Sequence, residues 1–189
     1  DPSGHLVKKY TLDDIHLYNT SVTNNNKLLT CGYFQDSIVD FDPDSTTYNI
    51  SSGSGYRNSY VARYNIDYSP TQVKTVEPPN SLSNFYFVIP HQNGDFSLYG
   101  SFKSDSMNIA FNSNSPYYVE GSPVNRNIFV SRYDSSANIK YGKSITGTKY
   151  MNLSSGAIDN NGNFLISGIF EGQINFNYPS SPNYTFQSN

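Results

Sequence analysis

Asp40, Asp42 and Asp44 stand at alternate positions, and hard oxygen ligands spaced that way can wrap a calcium ion. An EF-hand loop also needs a glycine and a distal glutamate, but Ser45 and Ser51 hold those places. Corresponding positions later in the chain carry Ala110, Asn112 and Asn114, then Asn175 and Asn177. The commoner reading of the three aspartates is a solvated turn after a strand. Asp40, Asp42 and Asp44 remain the metal candidate, and no other cofactor is expected. His5, His16 and His91 lie far apart with no metal-ligand spacing, and read as turn or surface residues.

Nucleophilic chemistry has little to draw on. There is no Gly-x-Ser-x-Gly elbow, no Cys–His pairing and no phosphate loop. A glycosidase would need two carboxylates across a cleft, whereas the acidic residues here are few and mostly in turns. No catalytic residues are expected, and the chain reads as a non-enzyme. Cys31 is the only cysteine, so no internal disulfide forms; aligned with Tyr99 and Ser167, it reads as a strand filler. Arg63 and Arg132 repeat because their strands repeat. Tyrosines could stack on sugars, although packing is their commoner use. Gly53-Ser-Gly55 reads as a linker-like turn. The glycosylation triplets at Asn19, Asn49, Asn152 and Asn183 are what an Asn-rich chain produces by chance.

The chain around these residues is organised on one short strand written three times: Lys27 to Phe34, Asp95 to Phe102 and Asn163 to Phe170. Their glycines, Gly32, Gly100 and Gly168, are spaced by 68 residues both times, which points to a repeat architecture. In two-residue steps, Leu28, Thr30, Gly32 and Phe34 share one face, as do Phe96, Leu98, Gly100 and Phe102, and Phe164, Ile166, Gly168 and Phe170. The other face is partly apolar too, as expected of a sheet sandwiched between neighbours. A glycine kept in register inside a strand implies close approach of another backbone or a tight bend. Gln92-Asn-Gly94 and Asn160-Asn-Gly162 precede two of the strands and predict two-residue hairpins; Asn24-Asn-Asn26 precedes the third.

Around each repeated strand the same pieces recur. A short strand (5–10, 72–76, 138–143) opens each copy, and a lead-in strand follows. After the repeated strand comes an apolar-x-Phe strand ending at Phe41, Phe111 or Phe176. A Pro/Ser/Asn-rich loop and a tyrosine-led segment come next. Ser59 to Tyr64 and Ile128 to Tyr133 close copies one and two. No stretch sustains a 3.6-residue period. The expectation is an all-β protein of β-propeller-type repeats of about 68 residues, each a four-stranded antiparallel blade. Residues 1–64 form the first repeat, 65–133 the second and 134–189 an incomplete third. The 189 residues hold fewer than the ~4 blades a propeller typically needs. The expectation is thus a segment of a longer chain, opening on a repeat with no leader, with flanking blades or further copies completing a ring.

Gly32-Tyr-Phe34, Val39-Asp-Phe-Asp-Pro43 and Tyr60-Val-Ala-Arg-Tyr-Asn65 resemble the bacterial β-propeller repeats often called SBBP. Copy two keeps Gly100-Ser-Phe102 and Phe129-Val-Ser-Arg-Tyr-Asp134; copy three keeps Gly168-Ile-Phe170 and Ile174-Asn-Phe-Asn177. The Asp-Pro loops of copies two and three depart from that pattern, as does the turn of copy one. The resemblance implies a large secreted or cell-surface parent protein and no single activity. Charged residues make up 14%, the net charge is -3 and no basic patch occurs, which argues against nucleic acid. No apolar run is long enough to span a membrane. The functional expectation is a non-catalytic, adhesin-like extracellular module that meets protein or glycan at its surface. The alternative is a carbohydrate-binding propeller using Tyr and Asn loops.

Overall fold

A computed structural model describes residues 12–35, 38–44, 46–51, 57–76, 83–112, 114–159, 161–176 and 184–188. The opening strand expected over 5–10, with His5, lies outside these residues, as do Ser45, the turn at 53–55, Asn177 and Asn183. The described residues form sixteen strands and no helix, so the chain is all-β with several antiparallel sheets.

The first sheet contains β1 (Ile15–Val22), β2 (Leu28–Phe34), β5 (Asn58–Tyr64) and β6 (Pro70–Val76), hydrogen bonded in that order. A separate hairpin, β3 (Ile38–Asp40) and β4 (Asn49–Ser51), is inserted between β2 and β5. The second repeat copies this plan. Strands β7 (Ser83–Pro90), β8 (Phe96–Phe102), β11 (Asn127–Tyr133) and β12 (Ile139–Gly147) form the sheet, and β9 (Ser106–Asn108) pairs with β10 (Tyr118–Glu120). In the third, β13 (Met151–Ile158) pairs with β14 (Phe164–Phe170). Its hairpin, β15 (Gln173–Phe176) and β16 (Tyr184–Gln187), docks on β12 and extends the second sheet to six strands.

Two details differ from the sequence expectation. Strands β6 and β12 lie past the expected repeat boundaries at 64/65 and 133/134, yet they pair with β5 and β11. The cause is a tight turn. Asn65 and Asp134 close it with Ser69 and Asn138, and Tyr68 and Ala137 take the positive φ it needs. The chain therefore folds back on its own sheet, and the two four-stranded units lie within 15–76 and 83–147. The turns before the repeated strands are also longer than two residues. Gly94 N–H donates to His91 O, His91 N–H donates to Asp95 O, and the only positive φ is that of Gly94. This is a type I turn with a glycine bulge, in which Asn26 and Gly162 take the place of Gly94.

The three glycines are where a neighbouring backbone comes close. Each lead-in strand carries a bulge opposite its glycine, between Leu17 and Asn19, Phe85 and Phe87, and Leu153 and Ser155. The bulge pushes a carbonyl inward. A Cβ on Gly32, Gly100 or Gly168 would lie 1.8, 2.2 or 2.3 Å from the carbonyl oxygen of His16, Asn84 or Asn152. Only glycine fits beneath such a bulge.

The sheets then stack face to face. Leu29, Cys31, Val61 and Val76 of the first sheet join Phe85, Phe96, Leu98, Phe102 and Phe129 of the second in one buried cluster. The opposite face of the second sheet, with Tyr99, Ile128, Val130 and Ile145, meets Met151 and Leu153 of β13 and Ile174 of β15. The outward face of the first sheet is covered by its own hairpin through Val39 and Phe41. Polar groups cross the first junction: Val88 N–H donates to Asn19 Oδ1 at 3.1 Å, and Ser21 Oγ donates to Val88 O at 2.8 Å. Hydrogen bonds contribute about 1 kcal/mol each, whereas a buried Phe or Leu contributes roughly 2–3. The apolar faces therefore hold the layers together, and the hydrogen bonds fix their register.

Gly100→Ala is expected to lower the unfolding free energy by about 1–3 kcal/mol. Urea denaturation measures it, and an unchanged midpoint would mean that the Asn84 carbonyl is not held against the strand.

Candidate functional site

The Asp40 loop is built from its own hydrogen bonds. Asp40 Oδ1 accepts the N–H of Asp42 at 2.9 Å and of Tyr48 at 2.8 Å, which joins the ends of the hairpin loop. Asp42 Oδ1 accepts Asp44 N–H at 2.9 Å, and Thr46 Oγ1 donates to Asp42 Oδ2. The second repeat makes the same contacts with amides. Asn108 Oδ1 accepts from Ala110 N–H and Tyr117 N–H, and Asn112 Oδ1 accepts from Asn114 N–H. An uncharged side chain thus performs the same task, which is to close a turn. No group of three or more His, Cys, Asp or Glu that could hold a metal ion occurs among the described residues.

Charge converges at the opposite end of the second sheet. Asp95 immediately precedes β8 and is buried; its Oδ2 accepts Arg132 Nε at 3.1 Å, Arg132 Nη2 at 2.9 Å and Lys140 Nζ at 2.8 Å. Burial would raise the Asp95 carboxyl, but hydrogen bonds from Lys140 and Arg132, with the Asn93 contact, hold it below its ordinary value. His91 sits 2.8 Å from Ser97 Oγ and is lowered by burial and then by Arg132. A polar cleft of about 360 Å³ opens here, between the turn at 92–94 and that at 161–162. Arg63, one repeat earlier, instead donates to Ser135 O at 2.8 Å and lies over Phe96. Arg63 therefore reaches into the next repeat, whereas Arg132 pairs within its own sheet and lies close to Gly162 of the following one.

A second cluster surrounds the lead-in bulges. Tyr18 and Tyr86 are the bulged residues themselves, and their rings meet edge to face at 5.2 Å. Tyr18 also contacts Tyr33, on which His16 stacks at 4.4 Å and over which Arg57 lies at 4.4 Å. Tyr86 accepts from Ser101 Oγ, and Arg126 approaches its hydroxyl. Tyr18 remains 44% exposed, so the cluster offers an aromatic platform flanked by two arginines. Sequence reasoning treated these tyrosines as packing. The usable signal was their spacing: Tyr18 and Tyr86 each precede a repeat glycine by 14 residues.

The other singled-out residues stay apart. Cys31 is fully buried 3.5 Å from Phe85 O, and burial pushes its thiol far up, as a filler requires. His16 and His91 belong to the two different clusters. Asp40, Asp42 and Asp44 belong to neither. No family model, curated protein or solved structure matches this chain.

Asp40→Asn is expected to leave stability within about 0.5 kcal/mol of wild type, because Asn108 does the same work. Adding calcium or a chelator is expected to leave the thermal midpoint unmoved, and a calcium-dependent rise that Asp40→Asn abolishes would restore the metal reading. Acid should destabilise the fold through Asp95 and His91. A lowered histidine contributes fully above its ordinary 6.5 and less as pH falls below it. A lowered carboxyl contributes above 3.8 and loses that as pH falls through its folded value. Asp95→Asn should reduce the lower limb, to which Asp134 and Asp159 also contribute, and cost about 2 kcal/mol near neutrality; urea titrations across acid pH measure both.

Proposed function

We propose that this chain is a non-catalytic structural and interaction module, a segment of β-propeller-type repeats. On this reading it works at a cell surface or in a secreted assembly. The carrying observation is the stack itself. Two sheets share one strand order, and one face of each buries against the repeat that follows. Such units add by nearest-neighbour contact, so the architecture is suited to extension and to presenting loops along its rim. The resemblance of Gly32-Tyr-Phe34 and Tyr60-Val-Ala-Arg-Tyr-Asn65 to SBBP repeats supports the propeller reading. The sparse charge and the Asn-, Ser- and Tyr-rich surface fit a secreted protein. No described helix is long and apolar enough to cross a membrane. The partners expected are protein or glycan at the surface and further blades of the same kind.

One observation favours a second reading, carbohydrate binding. Tyr18, Tyr33, Tyr86 and His16 form a partly exposed aromatic platform beside Arg57 and Arg126. Aromatic faces with polar rims are what a sugar ring stacks on.

Duplicating residues 83–150 in frame adds one unit to the stack. The module reading expects the thermal midpoint to rise by about 4 °C or more, and a lower midpoint would count against additive stacking. A glycan array tests the second reading. It supports that reading only if a bound glycan is lost in Tyr18→Ala while the fold is retained.

A further inference from the structure

The tyrosine platform has a repeat of its own. Tyr18 and Tyr86 are the bulge residues of successive repeats. Arg57 and Arg126 stand directly before the closing strands β5 and β11. Those strands share one register, with Asn58 opposite Phe34 and Asn127 opposite Phe102. The two arginines therefore emerge at equivalent places, and each repeat contributes one phenol ring and one guanidinium to the same rim. The row of tyrosines stops in the third repeat, where Ser154 holds the bulge position.

These cations are not engaged by carboxylates. The ion pairs among the described residues, from Arg132 and Lys140 to Asp95, lie at the other end of the second sheet. Arg57 instead lies 4.4 Å from the centre of the Tyr33 ring, and Arg126 Nη1 lies 3.5 Å from the Tyr86 hydroxyl. Arg126 is exposed and Arg57 half-buried. Burial, then Tyr86 and Tyr33, raise the Tyr18 phenol above its ordinary value. Both arginines act against that rise, so both charges lie within reach of its hydroxyl. The Tyr86 hydroxyl accepts from Ser101 Oγ at 3.1 Å as well as from Arg126, and so keeps its own proton to donate. Positive charge thus converges on exposed rings in a chain whose net charge is -3.

Such a surface suits a ligand with an apolar face, hydroxyls and regularly spaced negative charge. A uronate sugar has all three. Its ring face stacks on tyrosine, its hydroxyls meet the phenols, and its carboxylate takes a guanidinium in a forked pair. We propose that the platform binds a linear acidic polysaccharide, a polyuronate, laid along the stack. Successive segments of the glycan meet the Tyr–Arg pairs of successive repeats. Stacked sheets lie about 10 Å apart, a step that a short run of sugar units spans. This inference rests on the carbohydrate reading of the platform and names the sugar class. A single-stranded nucleic acid would also stack on tyrosine, but its charge at every phosphate calls for a longer track of cations than two arginines.

The test is a calorimetric titration of the whole chain with four ligands: an oligogalacturonate, its methyl ester, a neutral glucan oligomer and a single-stranded oligonucleotide. The oligogalacturonate is expected to bind, and to bind more weakly as salt is raised. Its affinity should exceed that of the methyl ester, which keeps the rings and loses the charge, by at least about tenfold. It should also exceed that of the galacturonate monomer by at least about tenfold, because only the oligomer engages both repeats. Arg57→Gln and Arg126→Gln should each weaken binding by at least about fivefold. Lys27→Gln removes the same charge at the far end of the first sheet and should leave binding unchanged. Amide spectra report whether each variant keeps its fold, and the exposed Arg126 carries the test if Arg57→Gln does not. Equal affinity for acid and ester, an equal loss in Lys27→Gln, or tighter binding of the oligonucleotide would overturn the proposal. If the ester or the neutral glucan binds as well as the acid, and Tyr18→Ala abolishes that binding, the acidic-sugar inference falls and the carbohydrate reading stands. If no glycan binds, both fall.

Discussion

The close approach of a bulged carbonyl to a strand glycine sets the geometry of this protein. The oxygens of His16, Asn84 and Asn152 occupy the space that a side chain on Gly32, Gly100 or Gly168 would need. A bulge bends and twists its strand, so the lead-in strand leaves the sheet plane at the same place in every repeat. The extra residue at that point, Tyr18, Tyr86 or Ser154, turns away from the ladder. In the first two repeats this builds the aromatic platform. One steric requirement therefore fixes the register of the sheet and the position of the Tyr18 and Tyr86 rings.

From that register the layers follow. The residues flanking each glycine alternate between two faces, and both faces find apolar partners. Leu29 and Cys31 face the second sheet, while Leu28 and Phe34 face the hairpin of the first. This explains why the repeated strand is apolar on both sides and why its charge is confined to turns. Asp95 is the exception. It is buried because Arg132 and Lys140 converge on one of its oxygens, and Arg132 also comes close to the turn of the following repeat, near Gly162. That contact ties charge pairing to the junction between repeats.

Much of this was legible in the residues. The period, the absence of helix, the two-faced strand and the steric need for glycine follow from Gly32, Gly100 and Gly168 and the residues around them. The pairing partner of β6 was not. Its sequence suits a strand in either sheet, and the decision was made by Tyr68 and Ala137 adopting a left-handed backbone that neither residue type advertises. The turn type was misjudged for a related reason, since Asn-Gly serves two-residue hairpins and glycine-bulge turns alike. The aspartates gave an acidic pattern that suits calcium and turn closure equally well. Only the matching bonds of Asn108 and Asn112 separate the two uses. The tyrosine platform stayed hidden because a bulge residue looks like any other strand residue until the bulge is seen.

Amide hydrogen exchange, read residue by residue, tests the central claim most directly. Strands paired on both edges should protect every amide, so β2 and β8 should exchange slowly from end to end. Among the described residues β14 is paired on one edge only, so its amides should alternate between protected and faster exchanging. Alternation along β2 or β8, or free exchange at either, would contradict three equivalent strands paired in one repeating stack.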